Sequence, residues 1–135
     1  MPVRYSFDPV TRTVEITCSG VLTLGEIVEY FEDLAADDAV TAGVIEVVDL
    51  TGVDDFAVSS SEAAEIPGSF ARVHVAKSIE ATLLLGPTDA NFGVARMIQS
   101  YFHSRLPDHP IQVVRSRAEV DARLGEMREN PGGAG

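Results

Sequence analysis

The chain is short of the residues that usually advertise chemistry. Cys18 is its only cysteine among 135 residues, so neither an internal disulfide nor a multi-cysteine metal site can form. It continues the alternating run Val14, Ile16, Cys18 and is expected as a small buried hydrophobe. With no disulfide to demand oxidising surroundings, a cytoplasmic home is expected. Positive charge is also scarce: Lys and Arg number 10 against 21 Asp and Glu, for a net charge of −11. Phosphate backbones and anionic membrane surfaces are repelled at long range. No basic stripe interleaved with aromatics offsets this, so nucleic acid is a poor candidate partner and the acidity is read as solubility. No apolar run approaches the ~20 residues a helix needs to cross a bilayer. Met1-Pro2-Val3-Arg4 leads straight into a strand pattern, so neither a signal peptide nor a membrane anchor is expected.

Motifs for catalysis are missing too. His74, His103 and His109 stand in no metal-ligand spacing and are expected as solvated or packing residues. Ser59, Ser60 and Ser61 lack the flanking glycines of a nucleophile elbow. Glu29, Glu32, Asp33, Asp37 and Asp38 fall on a helix face that water should cover, whereas acid–base work needs a desolvated carboxylate. Glu46 is the one acid inside an apolar run, and it is expected at an edge or strand end where its carboxylate reaches water. A non-enzymatic protein without a cofactor is the expectation, with a hydrolase or transferase as a remote alternative.

What is present is the patterning of one layered domain. The apolar share is 45% and the charged share 23%, ordinary for a globular chain. Val3, Tyr5 and Phe7 alternate with polar residues up to Asp8-Pro9, and Val14, Ile16 and Cys18 alternate again until Gly20, which predicts an antiparallel hairpin. Thr23 with Glu26 forms a capping box for a helix that puts Leu24, Ile27, Val28, Phe31, Leu34 and Ala35 on one face. The run Val44 to Leu50 predicts a central strand ending at Asp49, with a turn through Gly52. Ser59 with Glu62 is a second capping box, and Pro67-Gly68 interrupts the helical pattern it opens, giving two helical pieces or one kinked helix.

The stretch from Glu80 to Leu106 is the centre of the domain. Ala81 to Leu85 is a strand covered on both faces. Gly86-Pro87 ends it, and Thr88 or Asp89 caps a helix that is apolar over two adjacent stripes. Ile111, Val113 and Val114 predict the last strand, and Ser116 with Glu119 a third capping box before a final helix. The order β-β-α-β-α-β-α-β-α requires parallel neighbours after the first hairpin. The domain is expected to span residues 1–127, with 128–135 as a disordered tail.

This order resembles the STAS or SpoIIAA-like superfamily, and more closely its STAS-like bacterial proteins of uncharacterised function. Three stretches carry the resemblance: Ser19-Gly20-Val21-Leu22-Thr23, Val48-Asp49-Leu50-Thr51-Gly52-Val53, and Phe92-Gly93-Val94-Ala95-Arg96-Met97. It implies an α/β fold: a mixed sheet with an N-terminal antiparallel hairpin, then β-α-β units with about four helices. In the anti-sigma-factor antagonists of this superfamily a serine opening the helix after the central strand is phosphorylated to control partner binding. The matching region is Phe56 to Ser61, with Val58 where the family has an acid and Ser61 where it has a glycine. The resemblance therefore offers Asp49, Ser59 and Ser60 as a switch or binding site, while Ser59 is also explained as an N-cap.

Two further candidates come from position. Thr88, Asp89 and Asn91 lie between a strand end and a helix start, where open sheets bind ligands, although the phosphate-cradling glycine pattern is absent. Phe92, Met97 and Tyr101 exceed what a sheet can cover and are offered as an interface. The expectation is a regulatory module, homodimeric, that binds a protein partner of unknown identity. The alternative is a binder of a small lipid-like ligand in a groove lined by the long helix and the kinked one.

Overall fold

A computed structural model describes residues 3–129 of the chain. The elements are β1 (Val3–Asp8), β2 (Thr13–Thr23), α1 (Leu24–Ala36), β3 (Val44–Ala57), α2 (Ser60–Ala63), α3 (Ile66–Lys77), β4 (Ile79–Leu85), α4 (Asp89–Arg105), β5 (Ile111–Val114) and α5 (Arg117–Glu129). The strands form one 5-stranded sheet in sequence order. β1 runs antiparallel to β2, and every later neighbour is parallel. This is the expected mixed sheet with an N-terminal hairpin, and β3 lies at its centre.

The length of β3 departs from expectation. It does not turn after Asp49 but stays extended to Ala57, because β2 does not stop at Gly20 and pairs with it as far as Thr23↔Ala57. Gly20 sits at φ 68 beside a register shift. A glycine in the left-handed region lets the strand bulge without ending. The break between the helical pieces also falls earlier than expected, ahead of Ile66. Pro67 then occupies the first turn of α3, where its missing N–H has no intrahelical partner to lose.

Period-two alternation sends successive residues of β3 and β4 to opposite faces. Val44 and Leu84 join Ile16, Leu22, Phe70 and Ile98 under α1, α3 and α4. Ile45, Val47, Leu83 and Leu85 pack with Val120 and Leu124 of α5 on the other side. Cys18 is buried, as its position in the alternating run implies.

Both expected capping boxes, Thr23 with Glu26 and Ser59 with Glu62, close reciprocally. The third differs. Ser116 Oγ accepts the Glu119 N–H, but Glu119 Oε1 accepts from Arg115 rather than from Ser116. α5 passes the expected boundary at 127, and Arg128 Nη2 donates to Thr13 Oγ1 at 3.1 Å. The remainder of the expected disordered tail, 130–135, lies outside the described residues. Among the described residues no helix is long and apolar enough to cross a membrane.

Candidate functional site

Strand register places Glu46 of β3 directly beside Thr82 of β4. The run Val44, Glu46, Val48 turns the carboxylate toward the face covered by α1, α3 and α4 rather than toward water. Glu46 is only 2% exposed and Thr82 3%, so the expected edge position of Glu46 is corrected: the strand is central, and helices close over it. Tyr30, one turn before Leu34 on α1, reaches down and its Oη donates to Glu46 Oε2 at 2.6 Å. Thr82 Oγ1 donates to Glu46 Oε1 at 2.9 Å and lies 2.9 Å from Nε2 of His109. His109 belongs to the loop before β5, held by its N–H to the Leu106 carbonyl at 3.0 Å. It packs against Phe70 and Phe102, the second of the two roles expected for the histidines, and it also extends the buried polar chain from Thr82.

The electrostatics of this chain are unusual. Among the described residues Glu46 has no cationic partner. Burial pushes its carboxyl above the usual range, while the Tyr30 and Thr82 hydroxyls pull the other way. Desolvation and then the Glu46 charge hold the Tyr30 phenol well above its ordinary value. Burial, with His74 nearby, lowers His109 to about 4, so the imidazole is neutral at pH 7 and carries one N–H. Two proton arrangements then satisfy every bond. With Glu46 ionised, His109 Nε2–H donates to Thr82 and Thr82 to Glu46. With Glu46 protonated, the order reverses: Glu46 donates to Thr82, and Thr82 to an unprotonated Nε2.

Above this carboxyl lies a cavity of about 70 Å³, walled by side chains such as Ile16, Leu22, Phe31, Leu50, Phe70, Leu84, Ile98 and Phe102. Its polar lining comes from Glu46, Tyr30 and Thr82, with Cys18 also at the wall. A second recess of about 290 Å³ opens between β1 and α1, lined by Val3, Arg4, Tyr5, Glu26, Glu29, Tyr30 and Asp33. Val3 and Tyr30 line both. At the rim of this recess Tyr5 Oη donates to Asp37 Oδ2 at 2.7 Å.

The residues singled out from the sequence lie elsewhere. Asp49 Oδ1 accepts from the Thr51 N–H at 2.9 Å, and Oδ2 meets Arg117 at 3.1 Å. Ser59 Oγ accepts the Glu62 N–H at 3.2 Å, so it is the cap of α2, and Ser60 is exposed beside it. Thr88 caps α4 through the Asn91 N–H at 3.1 Å, and Asp89 pairs with Arg115 at 2.7 Å on the surface. Asn91 is buried with its Oδ1 unpaired. Asp49, Ser59 and Asp89 are joined by no hydrogen bond or ion pair among the described residues, so the polar centre of the molecule is not at these loops. Phe92, Met97 and Tyr101 of α4 are each half-buried. Met97 and Tyr101 rest partly on the core, and Phe92 is flanked by Arg96 and Arg115. Among the described residues no group of three or more His, Cys, Asp or Glu could hold a metal ion.

Sequence patterning did not reveal Tyr30, Thr82 or His109 as site residues. Their signal was Glu46, a lone acid in an otherwise apolar run. Its partners could not be read from spacing, because they stand 16 and 36 positions away and the link to His109 spans a further 27.

The strand order, the hairpin and the helices on both faces define a SpoIIAA-like fold, as the resemblance implied. No protein-family model matches the chain, and no curated protein matches it. Among solved structures, an uncharacterised protein of the DUF3478 family with a SpoIIAA-like fold, from Shewanella loihica PV-4, is 12% identical with a TM-score of 0.53, the match covering 90% of this chain and 91% of that one. The anti-sigma factor antagonist SpoIIAA in its unphosphorylated form is 16% identical with a TM-score of 0.49, over 91% of this chain and 97% of its own. The Bacillus cell fate determinant SpoIIAA in its phosphorylated form is 19% identical with a TM-score of 0.49, over 90% and 99%. At these identities the likeness concerns the fold.

Proposed function

We propose that this chain is a cytoplasmic binding module that acts by holding a small, mostly apolar molecule between its sheet and α1, α3 and α4, and not by catalysis. One observation carries the reading: an apolar cavity of about 70 Å³ whose polar lining is confined to Tyr30, Glu46 and Thr82. Binding sites are commonly apolar enclosures with a few converging polar groups. Phe70 of α3 and Ile98 and Phe102 of α4 contribute to its walls together with side chains of the sheet and of α1. Cys18 supports binding over chemistry, since burial pushes its thiol up to about 12 and keeps it protonated, whereas thiol nucleophiles act as thiolates.

Protein purified from its own source, extracted and analysed by mass spectrometry, tests the reading. A small organic species in near-equal amount to the wild-type chain, missing from a Leu84→Phe variant with a filled cavity, is expected. The same species in both preparations, or none in either, would overturn it.

A protein partner, homodimer included, is the second reading, because Phe92, Met97 and Tyr101 stay half-exposed on one helix. Met97→Glu or Tyr101→Glu should then lower the mass found by light scattering. A serine switch belongs to this reading. Ser59 and Ser60 are exposed, as a modified residue must be, but a phosphate on Ser59 would face the Glu62 carboxylate that already bonds its N–H at 3.0 Å, and like charges repel.

A further inference from the structure

We propose that the cavity is a site for a short-chain primary amine whose ammonium group sits on Glu46. The proposal rests on the cavity reading above and adds the chemistry of the occupant. Glu46 faces the cavity with one hydrogen bond to each carboxylate oxygen, from Tyr30 and Thr82. Each oxygen of an ionised carboxylate has room for another donor. A buried carboxylate without a counter-charge is costly, and pairing with a cation in contact removes much of that cost. An ammonium head supplies both the charge and the donors, which a hydrocarbon, a carboxylic acid or a phosphate cannot.

Size and access point the same way. The cavity, at about 70 Å³, is roughly half the ~150 Å³ that accepts benzene, so the apolar part is a chain of about two carbons. The neighbouring recess, which shares Tyr30 and Val3 with the cavity, presents Glu26, Glu29 and Asp33 against a single cation, Arg4. With the net charge of −11, this field draws cations and turns anions away.

Binding is coupled to a proton. The groups facing Glu46 are Tyr30 from α1, Cys18 from β2, Thr82 from β4 and His109 from the loop before β5, with His74 of α3 behind His109 at 5.7 Å between ring centroids. An arriving ammonium needs Glu46 ionised. Where Glu46 holds a proton, it passes to Thr82 Oγ1 as the Thr82 proton passes to His109 Nε2, and the imidazole releases its Nδ1 proton to water, so one proton leaves and both hydrogen bonds survive in reversed order.

The test is a methyl NMR titration of the full chain, following Ile16, Leu84, Ile98 and Ile111 with ethylamine, ethanol, acetate and xenon. Ethylamine should bind about tenfold or more tighter than ethanol, the scale separating a charge-assisted from a neutral hydrogen bond, and acetate should not bind. The amine's affinity should fall by up to about tenfold for each pH unit below the titration of Glu46, and Glu46→Gln should lose the amine preference while keeping ethanol. If ethanol or xenon binds and the amine does not, the ammonium proposal is overturned and the cavity reading stands. If the amine moves only signals near Glu26, Glu29 and Asp33, the proposal also falls. If no probe shifts the four methyls, both readings fail together.

Discussion

Tyr30 and Glu46 meet across the helix–sheet interface, phenol to carboxylate at 2.6 Å, with 6% and 2% of their surfaces exposed. Tyr30→Phe leaves Oε2 without its protein donor in a place water barely reaches. Loss of a buried charged partner's hydrogen bond costs about 1–3 kcal/mol, which urea denaturation at pH 7 should read. Adding Glu46→Leu removes the abandoned acceptor and should return part of that loss, because removing both partners is milder than stranding one.

Glu46 should make stability depend on pH in a particular direction. Its carboxyl is raised above the ordinary 4.5 in the folded chain, so the folded state keeps its proton after the unfolded state has released it. The resulting stabilisation is full below the ordinary glutamate range and is lost as pH rises through the folded pKa. Glu46→Gln does not titrate. The stability difference between wild type and Glu46→Gln should therefore shift against the wild type as pH increases from about 4 to 8, measured by denaturation at several pH values.

His109 imposes the opposite slope. Its ring is depressed from 6.5 to about 4 by burial, so the unfolded chain binds a proton that the folded one refuses. Stability from this group is present above the ordinary histidine pKa and is lost as pH falls toward 4. Discounted for the ring's partial contact with water, the loss is about 2 kcal/mol. His109→Gln, which keeps an N–H to offer Thr82, should flatten the acid side of the thermal-melting profile.

Lys77, 8% exposed, holds the start of the loop after α1, donating from Nζ to the carbonyls of Asp37 at 2.7 Å and Val40 at 2.8 Å. Lys77→Met preserves the stem and strands both carbonyls. Hydrogen bonds to charged groups contribute roughly 1.5–3 kcal/mol, so a loss of about 2–3 kcal/mol is expected in a urea melt.

Gly86 marks the tight passage from β4 to α4. A Cβ there would lie 2.9 Å from the carbonyl carbon and oxygen of Asn91 and from Phe92 N. Those are backbone atoms that cannot rotate away. Gly86→Ala should cost about 1–3 kcal/mol, in the range of overpacking, with the largest amide-exchange change in the first turn of α4.

Local signals carried most of the architecture. Strict alternation in Val14, Ile16 and Cys18 needs a half-buried strand, and two reciprocal capping boxes mark helix starts through bonds spanning three residues. The sequence Thr51 to Ala57 has no such signal. Its start, through Gly52, reads as a turn, and the segment is a strand only because β2 continues alongside it past the bulge at Gly20.

The amino-acid order by itself determined which segments are strands and helices near the centre, and that Glu46 interrupts an apolar run. The local pattern placed Glu46 at a strand edge or end, on a face open to water. What lay opposite that face was decided by tertiary structure: register set Thr82 beside it, α1 brought Tyr30 from above, and the loop before β5 delivered His109. Secondary structure follows from interactions a few residues long, whereas the fate of a buried charge depends on distant groups that meet only when the layers close.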